Sequence, residues 1–145
     1  MSLSTDQQND QHIELKIQKG IRQCEDDLVN WIQLALDKKQ TYGKLEESQF
    51  RNVVRVAETT DSAEVVKNFL RYQLGRDNKW GSGKNSLAET IINDIDKNIS
   101  TASQKIAKEA KVTESAKVKE IHLELIRRYL GYGSRYLKYL NSLKP

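Results

Sequence analysis

Apolar residues recur every three to four positions early in the chain: Ile13, Ile17, Ile21, Cys24, Leu28, Trp31, Ile32 and Ala35. That spacing keeps side chains on one face of a helix with 3.6 residues per turn and predicts a first helix over about residues 11–39. Tyr42-Gly43-Lys44 breaks the pattern. Phe50, Val53, Val54 and Ala57 then form the buried side of a short helix that Ser48 is placed to cap and Thr59-Thr60 to end. Asp61 with Glu64 three residues on is the start of a third helix with Val65, Val66, Phe69, Leu70 and Leu74 as its core face.

Residues 77–85, with two glycines and two asparagines, read as a connector. Ser86 and Glu89 repeat the capping pattern. A long amphipathic helix follows through Leu87, Ile91, Ile92, Ile95, Ile99, Ala102 and Ile106. After a polar turn at residues 111–115, Val118, Ile121, Leu125, Tyr129, Tyr132, Tyr136 and Leu140 define a last helix reaching Leu143. No segment alternates as a strand does. The expectation is an all-α, single-domain antiparallel bundle of about five helices over residues 11–143, behind a disordered tail at residues 1–10. The two long terminal helices are expected to embrace the shorter middle pair.

Composition narrows the chemistry. One cysteine, Cys24, excludes an internal disulfide, and with only His12 and His122 beside it soft metal ligands are scarce; no cofactor is expected. The polar first ten residues lack the apolar core of a signal peptide, and no apolar run approaches the roughly 20 residues of a membrane span, so a cytoplasmic location is expected. The net charge is +4, unevenly placed. Residues 1–50 carry nine acids against six bases, whereas residues 67–84 hold five bases against Asp77, and residues 127–145 hold five bases and no acid.

The run Gly81-Ser82-Gly83-Lys84-Asn85-Ser86 resembles the end of a phosphate-binding loop, but Asn78 and Asn85 occupy the positions of the first glycine and the metal-binding hydroxyl, and no strand precedes it. It reads as a helix connector. His12 near the N-terminus and His122 beside Ile121 read as surface or boundary residues, and Glu25-Asp26-Asp27 as a solvated face, so no catalytic site is expected. Basic residues are more regular: Arg51 and Arg55, and Lys67 and Arg71, are four apart, and Arg128 and Arg135 seven apart, each set on one helix face. Faces of this kind suit a phosphate backbone, although the same spacing also describes ordinary surface charge. In the last helix Tyr129, Tyr132, Tyr136 and Tyr139 alternate with arginine and lysine, a mixture found in protein interfaces and in stacking platforms; the set is assigned to a protein interface, with at least two of the four expected instead to close the bundle with their hydroxyls at its rim. Gly131 and Gly133 weaken that helix by up to about 1 kcal/mol each and imply close approach by another helix or chain.

Ser48-Gln49-Phe50-Arg51-Asn52, followed by Lys67-Asn68-Phe69-Leu70-Arg71-Tyr72-Gln73-Leu74-Gly75-Arg76-Asp77, resembles the Ser-Gln-hydrophobic-Arg helix start and the Tyr-x-x-Gly-Arg segment of the small subunits of type III CRISPR interference complexes. Residues 124–132 are similar to the tyrosine-bearing last helix of that family. The resemblance implies a non-catalytic, multi-copy subunit packed against other subunits of a ribonucleoprotein, holding the backbone of guide and target single-stranded RNA while base pairing reads the sequence. Arg51, Arg71 and Arg76 are the contacts it implies. Helix-face spacing adds Arg55 and Lys67, and charge placement adds Lys79, Arg128 and Arg135. The first helix is longer and more acidic than the family pattern. The competing expectation is a helical adaptor that binds only protein.

Overall fold

A computed structural model of the chain describes residues 4–144. Its α-helical segments are α1 (Thr5–Gln23), α2 (Glu25–Asp37), α3 (Glu47–Thr59), α4 (Ala63–Arg76), α5 (Leu87–Asp94), α6 (Ser100–Glu109) and α7 (Ser115–Ser142). A short 3-10 turn spans Lys39–Thr41, and a π-helical turn, Ile95–Ile99, joins α5 to α6. With α1–α2 and α5–α6 each taken as one interrupted helix, five helices pack together in one all-α domain, with no strand among the described residues.

Local chemistry accounts for most helix ends. The N-terminal helix begins at Thr5, not near residue 11, because Ser4 and Gln7 form a reciprocal cap: the Gln7 N–H donates to Ser4 Oγ (3.2 Å) and the Ser4 N–H to Gln7 Oε1 (3.0 Å). Residues 5–10 are therefore helical, and residues 1–3 of the expected tail lie outside the described residues. Glu46, not Ser48, caps α3, with its N–H bonded to Gln49 Oε1. Ser62, not Asp61, caps α4 by accepting from the Val65 N–H. Ser86 caps α5 as expected, accepting from the Glu89 N–H at 3.1 Å.

The last helix does not embrace the others from outside. It runs through their midst, packed on α2, α3, α6 and the π turn, while α4 lies against α3 and α5, and α1 against α6. Ile121, Leu123, Leu125, Ile126, Tyr129, Leu130, Leu137 and Leu140 of α7 are all buried. Gly133 permits this closeness: a Cβ there would stand 2.6 Å from Ile32 Cγ1 and 2.7 Å from Phe50 Cζ. The expected close approach is real at Gly133, whereas Gly131 faces open space.

The connector after α4 is an unexpected part of the core. Trp80 is fully buried and stacks on Phe50 with ring centroids 5.4 Å apart. Gly81 (φ 95°) turns the chain where a Cβ would collide with the Thr41 carbonyl oxygen, at 2.1 Å. The phosphate-loop look-alike thus folds as a connector packed at Gly81 and at the Ser86 cap and exposed between them, at residues 82–85. Conversely Val65, expected in the core, is 46% exposed.

Candidate nucleic-acid interface

The eight cations singled out by sequence divide into two groups. Lys67 is buried on α4, its ammonium 2.8 Å from both Asp96 Oδ1 and Glu64 Oε1. Burial opposes its charge, but the two carboxylates outweigh that and hold its pKa above the ordinary lysine value. Arg128 donates to Glu124 Oε2 (2.8 Å) and to Glu25, joining α7 to the start of α2; its hydrogen bond to Glu124 leads the effects that raise its pKa. Both are engaged by carboxylates of the same chain, which sets them apart from the other six. A cation already paired and partly desolvated offers a phosphate little.

Arg51, Arg55, Arg71, Arg76 and Arg135 are exposed, whereas Lys79 is half-buried. Arg76 lies 3.8 Å from Asp77 and Lys79 3.9 Å from Glu46, loose contacts in solvent. Among the described residues no carboxylate oxygen lies within 4 Å of the Arg51, Arg55, Arg71 or Arg135 side-chain nitrogens. Arg55 donates weakly to Asn52 Oδ1 at 3.4 Å.

Neighbouring groups show which of these the fold brings together. Glu47, at the start of α3, has its pKa lowered first by its backbone N–H, next by Asn141 of α7, and further by the charges of Lys138 and Arg51. Asn141 Nδ2 donates to Glu47 Oε2 at 3.1 Å and to the Leu45 carbonyl at 3.2 Å. Asn141 thus places Glu47 where the two helices meet, with Arg51 one turn along α3 from Glu47 and Lys138 one turn before Asn141 on α7. Lys138 was absent from the sequence-derived set; its position on the outer side of α7, one turn from Arg135, was the available signal. Arg71 and Arg76 belong to α4, which packs mainly on α3 and α5.

Arg127 has another task. Its Nε donates to the Ala57 carbonyl (2.7 Å) and its Nη2 to the Thr60 carbonyl (3.0 Å), so it neutralises the carbonyl end of α3 and fixes α7 against it.

The tyrosines also divide. Tyr129 is fully buried, its hydroxyl donating to Asp94 Oδ2 at 2.6 Å, so it is no interface residue. Asp94 also accepts from Asn98 Nδ2 (3.2 Å), and His122 Nε2 lies 2.8 Å from the Ile95 carbonyl, tying the π turn to α7. Burial raises the pKa of Asp94 despite these hydrogen bonds; burial, then the Asp94 charge, raises that of Tyr129 far more. Tyr132 and Tyr136 are half-buried and Tyr139 is exposed.

A cavity of about 600 Å³ between α1 and α7 is lined by mixed charges including Glu14, Lys117, Glu120 and Arg127. Lys117 is paired there with Glu14 (3.2 Å) and Glu120 (3.3 Å). Among the described residues no three His, Cys, Asp or Glu side chains converge as metal ligands, and no helix is long and apolar enough to cross a membrane. No known protein family, curated protein or solved structure matches the chain.

Proposed function

We propose that this chain is a non-catalytic helical subunit that holds the backbone of single-stranded RNA, in the manner of the type III CRISPR small subunits that its segments at residues 48–52 and 67–77 resemble. The observation that carries the reading is the set of exposed arginines, Arg51, Arg55, Arg71 and Arg135, that no carboxylate engages within 4 Å among the described residues. Their guanidiniums are free to exchange counterions for phosphates. Arg51, Arg71 and Arg76 also fall in the resembling segments. Exposed Leu15 (68%) and Leu34 (61%) on the first two helices give neighbouring subunits apolar surface to cover.

Titrating single-stranded RNA at rising salt tests the reading. Affinity is expected to fall steeply, and the double substitution Arg51→Ala, Arg71→Ala to shallow the log–log slope by about 1.4, at ~0.7 per phosphate contact on a single strand. Lys67→Ala is expected to act on stability instead. Binding that ignores salt, or a slope unchanged in the double variant, would reject these arginines as backbone contacts.

A further inference from the structure

Near its C-terminus α7 presents three tyrosines and an arginine on the side next to α2. Tyr132, Arg135, Tyr136 and Tyr139, with Val29 and Gln33 of α2, line a shallow cavity of about 260 Å³. Spacings of three and four residues explain the grouping, since they return α7 side chains to one face. The Tyr136 hydroxyl donates to Asp37 Oδ1 at 2.6 Å, which pins its ring; that hydrogen bond is the main reason its pKa is pushed up to about 12. The Tyr139 ring stands 5.9 Å from it at an interplanar angle of 35° and is 55% exposed. Arg135 is exposed with no carboxylate within 4 Å among the described residues, and Lys138 follows one turn on.

We propose that this tyrosine cradle is a stacking site for an unpaired nucleobase, with Arg135 holding the adjoining phosphate. The inference rests on the RNA reading above and deepens it. Backbone contacts grip any polyanion, whereas an open aromatic face rewards a base whose own face is free, which a duplex keeps inside its stack. One ring fixed by Asp37 and a second leaning outward give a partly ordered platform, so little rotamer freedom remains to be lost on binding. The charge beside the rings suits a phosphate. An acidic peptide would meet the same charge without using the rings, and the test separates the two.

The decisive experiment compares the full chain and its variants against labelled oligouridylate, an abasic phosphodiester oligomer of equal length and an RNA duplex, each at fixed low salt. Tyr139→Ala is expected to weaken oligouridylate binding about 5- to 100-fold, as loss of one stacked base does, while leaving the abasic oligomer and the salt slope unchanged. Tyr139→Phe is expected to bind as the parent does, and Arg135→Ala to weaken both single-stranded probes. Tyr139 is exposed, so its variants should fold; an unchanged circular-dichroism melt checks this. If Tyr139→Ala lowers binding of both oligomers equally, or of neither, the stacking site is refuted while the backbone reading stands. If no probe binds the parent chain, both fall.

Discussion

Two tyrosine–aspartate pairs sit on the same helix and share the same 2.6 Å hydrogen bond, yet they belong to different environments. Tyr129 and Asp94 meet in the interior, between α7 and the end of α5. Tyr136 and Asp37 meet at the surface, beside Arg135 and Tyr139. In the first pair, burial makes the hydrogen bond obligatory for Tyr129, whose hydroxyl cannot turn to water. In the second, water competes and the bond mainly fixes a ring. The cations differ likewise: Lys67, its stem buried, is held by two exposed carboxylates, whereas Arg135 has none within 4 Å among the described residues.

The largest expected separation between the two regions is in stability. Tyr129→Ala is expected to cost about 3–5 kcal/mol in chemical denaturation, through a cavity and a stranded carboxylate, and Tyr129→Phe about 1–3 kcal/mol through the carboxylate alone. Tyr136→Phe is expected to change stability by no more than about 0.5 kcal/mol. Equal costs for the two Tyr→Phe changes would erase the distinction between the regions.

The paired glycines of α7 sharpen the same contrast. Gly133→Ala drives a methyl into Ile32 and Phe50 and is expected to lower stability by about 1–3 kcal/mol, offset in part by better helix propensity. Gly131→Ala meets no atom within 4 Å and is expected to raise stability by up to about 1 kcal/mol. Thermal melts of the two variants should move in opposite directions.

The smallest effect concerns pH. Burial raises the folded-state pKa of Asp94 above its unfolded value, so its contribution to stability is fully present below the ordinary carboxylate range and is lost as pH rises through the folded value. Asp94→Asn keeps an acceptor for the Tyr129 hydroxyl and removes that titration. The stability gap, variant minus parent, is expected to widen as pH rises from the ordinary carboxylate range toward neutrality. Glu14 and Glu47, whose pKa values are lowered, push the parent the opposite way, so the difference between proteins is the quantity to measure.

Much of the fold was legible in the chain. The isoleucine and leucine stripes located the helical stretches, and Ser86 and Thr60 marked boundaries that the structure keeps. The misplaced ends at Glu46, Ser62 and Ser4 share one cause: several polar residues stood close together, and backbone geometry chose among them. Trp80 was misread because a glycine- and asparagine-rich segment is usually solvated, and only the Phe50 ring opposite makes it core. Candidate site residues were legible as residue types but not as free or engaged groups. Arg128 and Arg135 are seven apart on one helix; Glu124, four residues before Arg128, was a partner the sequence offered, whereas Glu25, contributed by another helix, was not.

By itself, the sequence determined an all-helical chain, because period, caps and connectors are local and act within a few residues. Tertiary structure decided the rest: that α7 runs through the middle, that Gly133 is a contact and Gly131 is not, and that Tyr129 is sealed while Tyr139 is open. Those outcomes depend on which side chains arrive from distant positions. Helical periodicity says that a face is buried or solvated, but it carries no record of the partner that faces it.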